Sequence, residues 1–248
     1  VNLEWEFEKS FFLFTTLEGG KELNTLNKMS ARSIYSNPSQ RMVNSYTPAD
    51  WTLGFRTNYL TNFNVNLYTG IKTTTNALFD YRELFAFDGY ISRDAISFRP
   101  VNAYAWKVGF DVNYKYKDRV KAQIKWAHNE WHHRNGKEKI RTSLPVNEWN
   151  LGLDVNATQH LSFDLDIYLA NGREYLNIIK TNFNPDIDGF SAGKMKNIFN
   201  TSIGATYRFN DSVHLLIQAN NIFAQHYNLY YGMPAQRFNF MAGVGICF

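Results

Sequence analysis

The chain has 248 residues, a formal net charge of +4 and a mean hydropathy of −0.39. No run of about eighteen apolar residues occurs, which excludes a transmembrane helix, and the single cysteine, Cys247, excludes an internal disulfide. Aromatic residues nevertheless make up 17% of the sequence. This combination is typical of transmembrane β-barrels, in which aromatic belts at both membrane interfaces surround a polar interior.

The chain opens with a predicted strand over about residues 3–14, although its alternation slips between Phe7 and Phe11. Four hairpins follow, each with two strands of alternating apolar and polar residues around a short polar turn. A last strand over 236–248 makes ten strands in all. The predicted hairpin strands are 51–60 with 64–74, 103–115 with 120–131, 149–156 with 161–169, and 198–209 with 213–222.

Long polar segments connect these hairpins. Short turns that alternate with long loops are typical of outer-membrane barrels, whose short turns face the periplasm. The short turns place the C-terminus in the periplasm, and the even strand count places Val1 there too. The predicted long segments are about 16–49, 75–101, 132–146, 172–196 and 223–235.

The two faces of the predicted strands differ in chemistry. One face is almost free of charge, whereas the other carries acids and bases that would line an interior. Strands of about ten residues can cross a bilayer at a tilt, whereas strands in general are most often five or six residues long. The sequence therefore predicts an all-β, antiparallel transmembrane β-barrel as one domain over 1–248, either complete or part of a larger barrel. The candidate lumen charges are Asp154, Asp164, Asp166 and Arg208.

The final strand alternates large apolar residues with small or polar ones up to the last residue. A period of two indicates an extended strand, and so apolar a face needs a covering. The apolar positions are Phe238, Phe240, Ala242, Val244, Ile246 and Phe248.

The stretch from 219 to 248 resembles the C-terminal barrel of TonB-dependent outer-membrane receptors of the Bacteroidetes type. In that family the penultimate strand ends in an Asn-aliphatic-Phe motif followed by a Tyr, and the last loop carries a Pro and often an Arg. The last strand then alternates aromatic residues and ends in Phe. The matching loop and motif residues are Asn221, Ile222, Phe223, Tyr227, Pro234 and Arg237.

The resemblance implies uptake of a nutrient ligand through a plugged barrel in the outer membrane of a Gram-negative bacterium. Complete receptors have a plug, a TonB segment and about twice as many strands, so it also implies that 1–248 is the C-terminal part of a receptor. The terminal strand would be read by the barrel-assembly machinery. The other implied partners are outer-membrane lipid and lipopolysaccharide, a plug domain, TonB and a surface lipoprotein. The alternative is a self-contained small barrel that acts as a structural or assembly subunit of a larger outer-membrane complex.

Two long segments are rich in aromatic residues and arginine, namely 79–100 and 228–238. Such clusters on extracellular loops favour capture of a sugar, a peptide or a cofactor. The alternative is that they serve as girdle residues and loop packing. The candidate ligand-contacting residues are Tyr81, Arg82, Phe85, Phe87, Tyr90 and Arg93.

Two further patterns could form chemical sites. His128, Glu130 and His132 would share one face of a strand near the rim, which suits either a surface metal site or, as the favoured interpretation, a polar rim beside interfacial tryptophans. Asp164 and Asp166 could do acid–base work but fit lumen acids better. The basic residues are scattered, which argues against nucleic acid as a partner. We therefore expect no enzymatic activity, metal or cofactor.

Overall fold

The computed structural model describes residues 1–58, 62–87, 90–136, 138–181, 189–210 and 212–246, with the backbone alone for 86–87, 90–93 and 181. Within these residues there is one helix, α1 (Leu26–Arg32), and no helix is long and apolar enough to cross a membrane. The strands are β1 (Asn2–Glu8), β2 (Phe11–Glu22), β3 (Ser45–Thr57), β4 (Phe63–Phe87), β5 (Tyr90–Tyr116), β6 (Val120–His133), β7 (Asn147–Asn156), β8 (Leu161–Asn171), β9 (Glu174–Thr181), β10 (Gly189–Lys194), β11 (Ile198–Arg208), β12 (Val213–Asn220), β13 (Asn228–Tyr230), β14 (Met233–Pro234) and β15 (Asn239–Ile246).

Eleven of these strands form one continuous wall in the order β1-β2-β3-β4-β5-β6-β7-β8-β11-β12-β15. Every neighbouring pair in the wall is antiparallel, and each strand pairs with the next wall strand along the chain. The predicted all-β antiparallel class is thus confirmed. The four predicted hairpins are all present in the wall.

The first predicted strand is in fact two strands. β1 and β2 form a hairpin that turns at Ser10, whose φ is +69°, and the slip between Phe7 and Phe11 marks this turn. The wall therefore has eleven strands rather than ten. Val1 lies at the end with the long connections, where its amino group donates to the Leu17 carbonyl at 2.8 Å. The prediction that Val1 shares an end with the C-terminal strand's last residues was wrong, because the strand count is odd.

The predicted loop 75–101 is also largely strand. β4 contains a bulge between Thr74 and Ala77, where Asn76 adopts a φ of +56°. Beyond this bulge β4 and β5 continue as a hairpin up to Phe87 and Tyr90. Bulges occur at the same level in β2, between Glu18 and Gly20, and in β3. Bulges bend strands and increase their local twist.

The wall has an apolar face and a charged face. On the apolar face Phe163 is 43% exposed and Val244 is 65% exposed. In the described part of the chain the only other sheet is the small pair β13–β14, so no second sheet covers Phe163 or its neighbours Leu165 and Ile167. This arrangement is not a β-sandwich, in which the apolar face would be buried.

The charged face holds paired charges between neighbouring strands. Asp50 on β3 forms ion pairs with Lys107 and, at 3.6 Å, with Lys72. Asp111 and Lys125 form another pair at 3.3 Å. A charged face of this kind suits contact with water or protein rather than lipid, because unpaired charges in an apolar medium are costly.

The largest buried side chains lie at one end of the wall, where the long connections pack against the β4–β5 hairpin. Met29 of α1 packs in a cluster with Ile96, Phe98 and Met233, and Phe79 packs with Ile140. These residues come from the long connections and from the part of the β4–β5 hairpin beyond the bulge. A single layer cannot bury both of its faces, so this protein builds its core at one end of the wall.

Candidate functional site

The long connections gather at one end of the wall, and we call their described residues the loop assembly. Their contacts are mutual: the Tyr230 hydroxyl, for example, donates to the Arg32 carbonyl at 3.0 Å across 198 positions. The assembly is a folded unit, not a set of separate loops. Its five segments are 23–44, the β4–β5 hairpin from 77 to 101, 134–146, 172–197 and 221–238.

The β4–β5 hairpin is the central element of the loop assembly. On one side, Ser36 forms a parallel bridge with Ile96 of β5. On the other, β9 pairs in parallel with β4 from Arg82 onward, and β10 pairs with β9. Segments from three different connections thus form one layer. Backbone groups that would be unpaired in isolated loops are hydrogen-bonded here.

A buried carboxylate joins the same three segments. Glu83 is 5% exposed and accepts hydrogen bonds from Ser97 at 2.6 Å, Lys180 at 2.6 Å and Asn37 at 3.1 Å. Burial by itself would raise the pKa of Glu83, but the hydrogen bonds from Lys180 and Ser97 outweigh it and hold the pKa below its ordinary value. Glu83 is therefore a charged contact between β4, β9 and the β2–β3 connection.

A second polar cluster joins the other connections. Asp80 accepts hydrogen bonds from Thr142 Oγ1 at 2.6 Å and from the Ser143 backbone N–H at 3.1 Å. Arg173, 4% exposed, donates to the carbonyls of Ser143 and Asn228, both at 2.8 Å. Burial lowers the pKa of the Arg173 guanidinium. These bonds fix 134–146, 172–197 and 221–238 to one another.

Sequence reasoning missed Glu83, Asp80 and Arg173. Asp80 and Glu83 stand as isolated acids within the aromatic run at 79–87. An acid among apolar strand residues indicates a paired buried carboxylate. This pattern could have predicted the roles of Asp80 and Glu83 from the sequence.

The two aromatic and arginine-rich segments meet in the assembly. Arg82 forms an ion pair with Asp94, with Nε 2.7 Å from Oδ1, and lies 5.7 Å from the centre of the Tyr231 ring. Tyr231 in turn stacks on Tyr175 at 3.7 Å. Gly232 has a φ of +80°, and a Cβ there would lie 2.5 Å from an Arg82 nitrogen. The positive φ of this turn favours glycine, and the flexible end of Arg82 fills the space beside it.

The remaining predicted ligand residues are placed as follows. Tyr81 is half-buried on β4, and burial raises the pKa of its hydroxyl. The Lys180 ammonium lies 5.6 Å from the Phe85 ring. The side chains of Phe87, Tyr90 and Arg93 lie outside the described residues. Ligand contact by this set stays a prediction.

The predicted lumen acids gather on the charged face. Asp154 lies directly across from Asp164, and Asp166 faces Gly152. A Cβ at Gly204 would lie 2.3 Å from an Asp164 oxygen, so glycine makes room for this carboxylate. Arg208 lies near the short turn, opposite His214. Within the described residues none of these four side chains forms an ion pair.

The motif residues hold the β12–β15 connection in shape. Asn221, with a φ of +49°, accepts from the Gln225 N–H and donates to the Gln225 carbonyl, both at 3.0 Å. Tyr227 is buried against Ala170 and Ile198. Ile222 donates its N–H to the Thr201 carbonyl, and Phe223 stacks on Phe199. Pro234 lies in β14 opposite Asn228, and Arg237 is exposed.

The terminal strand β15 pairs with β12, and its apolar residues stay exposed. Phe240, Ala242, Val244 and Ile246 lie opposite Ala219, Ile217, Leu215 and Val213. Phe238 precedes the strand and is exposed. Phe248 and Cys247 lie outside the described residues.

The histidine-rich end of β6 forms ordinary polar contacts. His132 Nε2 lies 3.5 Å from a Glu130 oxygen, and His128 Nδ1 lies 2.8 Å from Asn147 Oδ1. Among the residues that the structure describes, no group of three or more His, Cys, Asp or Glu is arranged to hold a metal ion.

The fold is similar to solved outer-membrane receptors. It matches the copper transporter OprC with a TM-score of 0.65 and 13% identity over 100% of this chain and 38% of that chain. It matches the pyoverdine outer membrane receptor FpvA from Pseudomonas aeruginosa PAO1 with a TM-score of 0.67 and 13% identity, over 100% of this chain and 35% of that chain. It matches the siderophore receptor PirA from Acinetobacter baumannii with a TM-score of 0.69 and 10% identity, over 100% of this chain and 40% of that chain.

The chain therefore spans well under half the length of these neighbours. No protein-family model matches the chain, and no curated protein matches it significantly.

Proposed function

We propose that the chain is part of the barrel of a TonB-dependent outer-membrane receptor of the Bacteroidetes type, which takes up a nutrient ligand in a Gram-negative bacterium. One observation carries the proposal: the whole chain matches part of receptor barrels, with TM-scores from 0.61 to 0.69. Because identity is 10–13%, the likeness supports the barrel fold, and the receptor activity is inferred from it.

The distribution of aromatic residues on the apolar face supports a membrane environment. Trp106 and Tyr114 on β5 are eight residues apart, as are Phe199 and Tyr207 on β11. Eight residues span about 27 Å along a strand, and a tilt of about 40° reduces this to roughly 20 Å. That height is of the order of the apolar band of ~25 Å between the aromatic girdles of outer-membrane barrels.

The edges of the wall favour a receptor over a self-contained small barrel. In the described part of the chain, β1 and β15 each pair with one wall strand. A free edge in lipid leaves backbone groups without hydrogen bonds, and only closed barrels avoid this cost. In a receptor of larger strand number, further strands would pair with both edges.

The loop assembly would lie at the extracellular end, since short turns face the periplasm in such barrels. It would contact the ligand, whose identity stays open. The charged face would line a lumen that receives a plug domain. The proposed partners are outer-membrane lipid and lipopolysaccharide, the barrel-assembly machinery, the plug, TonB and a surface lipoprotein, and no catalytic step is proposed.

The test compares three strains: the parent, one that lacks the protein and one that lacks TonB. Each strain grows on a panel of scarce nutrients, including iron carriers and complex glycans as sole sources. We expect one nutrient on which the first mutant fails and on which the TonB mutant fails equally. Growth that depends on the protein but not on TonB would contradict the proposal.

A further inference from the structure

A pocket of about 300 Å³ lies in the loop assembly between the end of β10 and the β12–β15 connection. Its lining includes Lys194, Lys196 and His226, together with Asn228 and the aromatic residue Tyr231, and no acidic residue. A volume of this size is at the lower end of that of small-molecule sites.

The two lysines of this pocket are not used in ion pairs. Within the described residues, neither Lys194 nor Lys196 has an acidic partner. Glu174 lies across from Lys194 in the β9–β10 register, but its carboxylate pairs instead with Lys139 and Arg141 at 3.7 and 3.8 Å. Within the described residues, both pocket lysines thus remain outside ion pairs.

One glutamine holds together the two chain segments that line the pocket. Gln225 Oε1 accepts from the Phe199 N–H at 2.7 Å, and Gln225 Nε2 donates to the Asn197 carbonyl at 3.2 Å. The segment that carries His226 is therefore bonded to the start of β11, next to Lys196. These hydrogen bonds place the backbone of the two basic segments side by side, whereas the side chains of Lys194, Lys196 and His226 are exposed.

The pocket lies close to the proposed membrane boundary. Phe199 and Phe223 stack at 5.3 Å and are exposed on the apolar face. Lys196 precedes Phe199 by three positions, and His226 follows Phe223 by three. Three residues reach at most about 10 Å, so both basic residues lie near the level of this exposed aromatic pair.

We propose that this pocket binds a phosphate group, carried either by a phosphorylated sugar headgroup of the outer leaflet or by a soluble phosphate compound. Lysine ammonium groups bind phosphate as point charges with three donors each, and the polar residue Asn228 also lines the pocket. The lipid source rests on the membrane location in the proposed function, whereas binding of a soluble phosphate does not.

The test uses the natural protein that contains this chain, purified in a detergent with a neutral headgroup. The pocket variant is Lys194→Gln with Lys196→Gln. The matched control is Lys9→Gln with Lys21→Gln, which removes the same charge from two exposed lysines outside the pocket. Equilibrium dialysis at low salt measures binding of inorganic phosphate. A second arm measures retention of lipopolysaccharide with its phosphates and after their enzymatic removal.

We expect the pocket variant to bind phosphate or intact lipopolysaccharide about tenfold more weakly than the parent, and the control variant to bind as the parent does. A loss confined to intact lipopolysaccharide identifies the headgroup as the source. A loss confined to inorganic phosphate identifies a soluble compound. Equal binding by the pocket and control variants in both arms would overturn the proposal. Dialysis requires no transport, so this outcome and a failure of TonB-dependent growth are distinguishable.

Discussion

Glu83 and Lys180 form an ion pair of 2.6 Å although 97 positions separate them. The pair connects the part of β4 beyond the bulge to β9, which lies in the connection between β8 and β11. Parallel pairing between such distant segments closes a long loop of chain, which costs conformational entropy. The ion pair and its companion bonds from Ser97 and Asn37 help to offset that cost.

We predict that Glu83→Gln loosens the β9–β10 hairpin. The substitution leaves Lys180 without its buried counter-charge and weakens the bonds to Ser97 and Asn37. Because Lys180 is about one-third exposed, the cost should be about 1–3 kcal/mol, below that of a fully buried pair. Hydrogen exchange of the β9 amides measures it. Glu138→Gln, an exposed acid in the same assembly, is the control, and equal exchange in both variants would refute the prediction.

Protection of β9 should also depend on pH. The pKa of Glu83 lies below its ordinary value of 4.5 in the folded chain. Such a group stabilises the fold fully above that ordinary value, and the stabilisation is lost as pH falls through the lowered pKa. We therefore expect constant protection from pH 7 to about pH 5 and a decline below it. The Glu83→Gln variant should lack this decline; a variant that declines identically would show that another group is responsible.

We predict that Leu165→Arg destabilises the wall by about 2–4 kcal/mol, because position 165 is on the apolar face near mid-strand, opposite Leu153 and Ile203. Asp164→Asn, on the charged face next to it, should cost much less. Urea titrations of the protein folded into lipid vesicles give both free energies of unfolding. Similar costs for the two substitutions would place both faces in the same environment.

Arg173 offers a test of how the loop assembly is held. Its guanidinium donates to carbonyls of Ser143, Asn228 and Leu229, an arrangement that a lysine ammonium cannot reproduce from a single point. We expect Arg173→Lys to increase proteolytic cleavage within 221–238 several-fold at unchanged heat-modifiable gel migration of the barrel. Unchanged cleavage would mean that the other contacts of this segment suffice.

The wall was largely predictable because each strand has one apolar face and one charged or polar face. Apolar and polar residues therefore alternate with a period of two in the sequence, as in 149–156 and 161–169. The same rule failed where the backbone departs from a regular strand. The turn at Ser10 and the bulge at Asn76 each shift the alternation, and both have a positive φ. The first hid a strand boundary, and the second made a continuing strand look like a loop.

The loop assembly was not predictable in the same way. Glu83 and Arg173 are held by partners up to 97 positions away, and no local pattern reports such contacts. The aromatic and arginine content of 79–100 and 228–238 predicted ligand contact by each segment, whereas the contact between Arg82 and Tyr231 was not predicted. Tertiary packing, and not sequence composition, determines which of these residues pair.

The central claim is that lipid contacts the apolar face of the wall and that water or protein contacts the charged face. Spin labels at single cysteines introduced from 161 to 169, in a Cys247→Ser background within outer-membrane vesicles, test it directly. The account predicts high accessibility to oxygen at Phe163, Leu165 and Ile167, and low accessibility at Ser162, Asp164 and Asp166. Equal accessibility of both sets, or a water-soluble quencher reaching Leu165 as readily as Asp164, would contradict it.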